Sequence, residues 1–383
     1  MSAFARSDPS LLSRWWWTVD RWLILALLLL IGVGLLLTFA ASTPVAERLG
    51  LPSFHFAERQ LAFLSLAVAV MFVVSLMQKK TVRRAGSLLF PVMLGLLFLT
   101  LWNGPEIKGA TRWLPIGSYT FQPSEFLKPA FIVFAAWMLS EGMNSKAFPG
   151  RRVAGAVFAV TVVGLALQPD FGQLVLLSLV FAAQLIVSGL PLVWIGALGA
   201  ASAAAGAAGY LLIPHIQNRI DAFLDPGAAD TYQVDTALNA FRAGGFFGTG
   251  PGEGMVKRIL PDAHTDFIFA VAGEEFGTLA CIGLLLLYTV IVVRALSRLL
   301  EEEDPFVVLA AGGLAILFGL QALINIGVNL SVIPAKGMTL PFVSYGGSSA
   351  LAVAIGMGMV LALTRRNRFL KTPSAGLRAG RAA

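Results

Sequence analysis

The chain has 383 residues, 57% of them hydrophobic and 13% charged, with a formal net charge of +7. That charged share is about half of the soluble norm, while runs of about twenty apolar residues recur, each long enough to cross a hydrocarbon core as a helix. The pattern excludes a soluble globule and a barrel of alternating strands, and the placement of the basic residues excludes nucleic acid as the reason for the charge.

The single cysteine, Cys281, lies in an apolar run, which leaves no intramolecular disulfide and no cysteine metal site. Three scattered histidines, His55, His215 and His264, argue against a histidine-rich metal centre. No cleavable signal peptide is expected, because the first apolar run is too long for one.

In chain order, residues 1–21 read as a polar, basic cytoplasmic segment that ends in Trp15, Trp16, Trp17 and Trp22, aromatic anchors for a membrane interface. Spans are expected near 22–41, 61–77, 86–102, 124–140, 153–167, 172–188, 190–213, 266–293, 306–330 and 346–364. The fold class is therefore all-α: a polytopic membrane protein with ten transmembrane helices over 22–364 and a large periplasmic loop, 214–265, between the seventh and eighth. Residues 365–383 form a basic cytoplasmic tail suited to anionic lipid. Lys and Arg fall roughly two to one on one side, which places both termini in the cytoplasm. Loops 103–123, 214–265 and 331–345 then lie on the outer face, where no ATP is available.

The chemistry concentrates beside those outer loops. Glu125 and Lys128 stand three apart at the start of the fourth span and so share a helical face. They are an ion pair closing a helix end or, the preferred reading, a charged cavity wall, since a pair at membrane depth is costly unless it faces protein or water. The glycine-rich Gly244–Gly254 stretch lacks the spacing of a phosphate loop and reads as a flexible lid. Asp266 opens the eighth span. Either Thr265 or Asp266 caps the helix, or desolvation at the membrane boundary raises the pKa of Asp266 and makes it a base toward a sugar hydroxyl. Glu274 and Glu275 lie roughly 12–13 Å deeper and are expected to pair with other helices. Gln321, Asn325 and Asn329 recur every four residues, a polar stripe for interhelical bonding or for lining a cavity. Lys336 precedes a segment in which Ser344 or Ser348 reads as a helix cap.

These residues resemble the SEDS family of bacterial cell-wall polymerases over nearly the whole chain. The resemblance is carried by Ala263-His264-Thr265-Asp266-Phe267-Ile268-Phe269-Ala270 with Gly273-Glu274-Glu275-Phe276-Gly277, and by Leu340-Pro341-Phe342-Val343-Ser344-Tyr345-Gly346-Gly347-Ser348-Ser349. Gln122-Pro123-Ser124-Glu125 with Lys128, and Gln168-Pro169-Asp170-Phe171-Gly172, support it. Asn325-Ile326-Gly327-Val328-Asn329 and Pro334–Pro341 favour the division member over the elongation member. Asp262 departs from the family's glutamate but keeps the charge.

The resemblance implies a peptidoglycan glycosyltransferase that polymerises lipid II into β-1,4 strands with inversion, releasing undecaprenyl pyrophosphate. It places the family's essential aspartate at Asp266 and its cavity Glu and Lys at Glu125 and Lys128. Lys128, Arg112 and Lys336 are the candidate cations for the departing pyrophosphate, and His264 and Ser344, inside the strongest motifs, are further candidate substrate contacts. No dedicated metal cage is visible, although a divalent cation, Mg2+ or Mn2+, would suit a pyrophosphate. The implied partners are a single-pass class B penicillin-binding transpeptidase and other division proteins, at the septum of the inner membrane. A lipid II flippase and a non-catalytic scaffold are the competing readings.

Overall fold

In a computed structural model, the structure describes residues 10–106, 110–117, 119–212, 217, 221, 232–334 and 337–366. Lys336 and almost all of the basic tail lie outside them. The described chain is helical apart from one hairpin. Its elements are α1 (Leu11–Thr18), α2 (Arg21–Arg48), α3 (His55–Ser75), α4 (Lys79–Asn103), β1 (Leu114–Ile116), β2 (Tyr119–Phe121), α5 (Pro123–Asn144), α6 (Gly150–Leu167), α7 (Phe171–Val187), α8 (Leu192–Leu212), α9 (Tyr232–Gly244), α10 (Ile268–Ser297), α11 (Pro305–Asn329) and α12 (Gly347–Leu363).

Among the described residues, seven helices are long and apolar enough to cross a membrane: α2, α3, α4, α5, α6, α10 and α11. Helices α7 and α12 are apolar but shorter. Local chemistry sets several of the starts. Asp20 accepts from the Trp22 and Leu23 amides at the head of α2, and Asp304 accepts from the Phe306 amide at the head of α11. Pro123 and Pro305 occupy first turns, where a missing N–H costs nothing. The centre of the bundle is α5 and α11, whose apolar windows are 72% and 67% buried against 28% for α4, α6 and α10. The most enclosed helices thus carry the Glu125–Lys128 pair and the Gln321–Asn329 stripe. The 103–123 loop contains the antiparallel hairpin β1–β2, with Leu114 opposite Phe121, a detail that the all-α expectation lacked.

Helix α10 departs most from expectation. It breaks at Gly277, where φ is 77° and ψ is 178°, so the expected 266–293 span is two helical pieces. Backbone groups exposed by a break in a membrane must find partners, and the glycine-rich loop supplies them. Thr249 and Gly250 donate to the Glu274 and Glu275 carbonyls at 2.9 and 3.0 Å, while Thr278 and Leu279 donate to the Gly245 and Phe246 carbonyls at 2.9 and 3.3 Å. A Cβ at Gly277 would stand 2.3 Å from the Phe246 carbonyl oxygen, and one at Gly248 would stand 2.1 Å from that of Glu275. The Gly244–Gly254 stretch is therefore a fastened strap, not the free lid that its glycines suggested.

Glu274 and Glu275 complete the strap, where pairing with other helices had been expected. Glu274 accepts from the Val256 and Lys257 amides at 2.6 and 2.8 Å. Glu275 pairs with the Lys257 ammonium, both side chains being almost fully enclosed. The same ammonium donates to the Ala40 carbonyl at 3.0 Å. That carbonyl lacks its usual intrahelical donor because Pro44, four residues on, has no N–H.

At the opposite end of the bundle, Asp20 is buried and accepts from Arg294 at 2.8 Å and from Arg298 at 2.7 Å. Burial pulls the Asp20 pKa up, but the bonds and charge from these two arginines outweigh it and hold the carboxyl below its ordinary value. The Arg366 amide donates to the Thr18 carbonyl at 3.0 Å, and its guanidinium pairs with Glu301 at 2.6 Å. Lys79 lies 3.4 Å from both Glu302 and Asp304. Both ends of the described chain meet on this face.

Candidate active site

The segment before α10 is held by its backbone. Asp262 has φ of 51°, and its carbonyl accepts from the amides of Thr265, Asp266 and Phe267. The next carbonyls are then taken in series. The Tyr345 amide donates to His264 at 2.9 Å, the Ser344 hydroxyl donates to Thr265, and Asn325 and Asn329 both donate to Asp266, each at 2.9 Å. Asp266 itself is half-buried, and a Cβ on Gly337 would lie 3.1 Å from its Oδ2. The N-cap of α10 is Phe267, without a side-chain cap bond, so neither Thr265 nor Asp266 occupies the capping position. Ser344 and Ser348 are not caps either. The N-cap of α12 is Gly346, and Ser348 accepts from the Gln122 amide at 3.3 Å.

Glu125 and Lys128 form a buried pair at 3.1 Å. Gln173 donates to Glu125 at 2.6 Å, and Lys128 donates to the Gln321 side-chain oxygen at 3.0 Å. The pair lines a narrow cavity with Gln321, Phe318, Leu314 and Gly356. The two readings of the pair are therefore both realised: it is an ion pair, and it walls a cavity. Gln321 continues the network by donating to the Thr339 carbonyl at 3.1 Å. One face of α11 consequently touches Lys128 through Gln321 and Asp266 through Asn325 and Asn329, at rungs spaced by about 6 Å. The polar stripe seen in the sequence serves as interhelical hydrogen bonding along its whole length and as cavity lining at Gln321.

The remaining candidates have more structural surroundings. Arg112 donates to the Pro169 carbonyl at 2.6 Å and stands 3.8 Å from the Asp170 carboxylate. Asp170 is buried in the turn between α6 and α7. That burial pushes its carboxyl above the ordinary value, against the charge of Arg112. Sequence reasoning gave Asp170 no role; a lone carboxylate between two apolar runs was the available signal. The His264 ring packs against Phe56 and Tyr345, with centroids 4.8 and 5.3 Å away. Ser344 is consumed between the Leu340 amide and the Thr265 carbonyl. Lys336 lies outside the described residues. Among the described residues, no three His, Cys, Asp or Glu side chains gather.

A family model described as "Cell cycle protein", covering FtsW, RodA and SpoVE, matches residues 21–369. The chain belongs to this family. It is 46% identical over 365 residues to the probable peptidoglycan glycosyltransferase FtsW of Caulobacter vibrioides, covering 95% of this chain and 94% of that one. It is 36% identical to the FtsW of Hydrogenovibrio crunogenus, covering 92% and 93%. Its fold is similar to that of the rod shape determining protein RodA of Thermus thermophilus, with TM-score 0.69, 27% identity and coverage of 91% and 97%. It is also similar to a chain from a structure described as "Structural coordination of polymerization and crosslinking by a peptidoglycan synthase complex", with TM-score 0.75, 27% identity and coverage of 90% and 97%. The match over residues 21–369 takes in the Asp266 segment, the Glu125–Lys128 cavity and the α11 stripe.

Proposed function

We propose that this chain is a peptidoglycan glycosyltransferase that polymerises lipid II at the division septum, with Asp266 as the general base. The identity to proteins named FtsW supports the activity and favours a division role over an elongation role. The observation that carries the residue assignment is the Asp266 segment. Three consecutive carbonyls are fixed, while the carboxylate stays half-buried at a helix mouth one rung from the polar cavity.

The chemistry follows from that placement. The acceptor sugar hydroxyl gives its proton to the Asp266 carboxylate as its oxygen bonds to the anomeric carbon of the donor. The bond from that carbon to the pyrophosphate oxygen breaks, and the pyrophosphate leaves with the electron pair. Attack from the opposite side inverts the centre. Lys128 supplies positive charge on the cavity wall, with Arg112 and Lys336 as further cations for the leaving group.

The chain is read as ten spans with residues 214–265 and Asp266 on the outer face. The meeting of Lys79, Arg83, Arg294, Arg298 and Arg366 with both ends of the described chain at the other face supports cytoplasmic termini. Similarity to a chain of a synthase complex supports a class B penicillin-binding transpeptidase as partner.

The test is polymerisation of purified lipid II by the complex with that partner, read as a ladder of glycan strands. Wild type is expected to give ladders, and Asp266→Asn a loss of about 10²–10⁴-fold. Equal ladders from both remove Asp266 as the base. No ladder from either, with the complex intact, turns the assignment toward flipping of lipid II.

A further inference from the structure

The most unusual contact near Asp266 is made by Asn329, which is fully buried on α11. In a regular helix, the Ala270 amide would donate to the carbonyl four residues back, that of Asp266. Here the Ala270 amide is shared between the Phe267 carbonyl at 3.0 Å and Asn329 Oδ1 at 3.1 Å, and Asn329 Nδ2 donates to the Asp266 carbonyl at 2.9 Å. The side-chain amide thus bridges the Asp266 carbonyl, just outside the helix, and the Ala270 amide in its first turn. Its orientation is fixed by chemistry, since only the nitrogen can donate to a carbonyl and only the oxygen can accept from an N–H. The second Nδ2 hydrogen meets the Asn325 carbonyl at 2.9 Å. Asn325, also buried, adds its own bond to the Asp266 carbonyl and one to Met338 at 2.6 Å.

We infer that Asn329, seconded by Asn325, is a positioning residue for Asp266: its amide ties the Asp266 carbonyl to the first turn of α10 and so sets the direction in which the Asp266 carboxylate leaves the backbone. This contact ties both the carbonyl of the residue that bears the carboxylate and an amide of the first helical turn to another helix. Because α11 also holds Lys128 through Gln321, the same helix face fixes the base relative to the cavity cation. The inference rests on Asp266 being the base.

The experiment is steady-state polymerisation of lipid II by the full chain with its transpeptidase partner, comparing wild type, Asp266→Asn, Asn329→Leu, Asn329→Asp and the double variant Asp266→Asn/Asn329→Leu. Asn329→Leu keeps the approximate size and removes both bonds. It is expected to lower kcat by about 10–100-fold, the scale of a misplacement of about 1 Å, with KM unchanged. The double variant should be no slower than Asp266→Asn alone, since misaiming a base that is absent costs nothing. Asn329→Asp retains the acceptor for Ala270 but donates only while the new carboxyl is protonated. Its kcat should therefore fall as pH rises through that group's pKa, a limb that wild type lacks. Asn325→Leu leaves the bridging amide in place and should show a smaller fall in the same parameter, which keeps the test open should the Asn329 variants fail to fold. An unchanged kcat in Asn329→Leu, a change confined to KM, or losses that multiply in the double variant would each overturn the inference while leaving the Asp266 assignment intact. Full activity of Asp266→Asn would remove that assignment and this inference with it.

Discussion

Each end of the bundle holds an aspartate where a long helix begins, and the two are held by different atoms. At Asp20 the bonds converge on the carboxylate: two helix amides and two arginines use it, and the residue is 2% exposed. At Asp266 the bonds from Asn325 and Asn329 converge on the carbonyl, while the side chain stays half-buried. Binding the carboxylate makes a joint between helices. Binding the carbonyl fixes the backbone from which the side chain starts.

The largest expected effect tests that contrast directly. Asp266→Asn should abolish ladders by about 10²–10⁴-fold with the thermal midpoint unchanged, and a large drop in midpoint would make Asp266 a joint like Asp20. Next comes the strap. Glu275→Gln strands the enclosed Lys257 charge and should cost about 3–5 kcal/mol of stability, read by thermal or denaturant unfolding in detergent. Gly277→Ala combines a strained backbone with overlap on the Phe246 carbonyl and should cost about 2–4 kcal/mol in the same assay. The smallest effect is expected at Asp20→Asn, about 1–2 kcal/mol, because Arg294 is 37% exposed and solvent screens its share.

The sign of the accompanying pH dependence is fixed. The Asp20 pKa is lowered in the folded chain, so its stabilisation is present above the unfolded value and is lost as pH falls through the folded one. Asp20→Asn should flatten that acid limb of the stability curve while activity per folded molecule stays at the wild-type level. A fall in specific activity would mean that the two ends of the bundle are coupled.

Hydropathy placed the helices well because a hydrocarbon core demands long apolar runs whatever the neighbours. The α11 stripe was equally visible, since a four-residue repeat needs no partner to be seen. Its partners were not. That Asn325 and Asn329 seek a backbone carbonyl rather than a cavity depends on α10 lying alongside, sixty residues away in sequence. The break at Gly277 was hidden because long apolar runs flank the Glu274–Thr278 stretch, and one glycine in a transmembrane helix is unremarkable. The strap was misread for the same reason. Glycines that look mobile alone are those whose missing Cβ atoms let Gly248 and Gly277 lie against carbonyls. Thr265 and Asp266 looked like caps, yet the turn is made earlier in the segment, on the carbonyl of Asp262.

Pro44 and Lys257 are more than two hundred residues apart, yet they solve one problem. The proline leaves the Ala40 carbonyl without its helical donor, and the lysine provides one. A lineage that replaces the proline regains the helical bond and loosens the demand for the lysine. A lineage that loses the lysine first leaves both a bare carbonyl and the Glu275 charge inside the protein. Replacing Lys257 therefore strands two groups, and replacing Pro44 strands none.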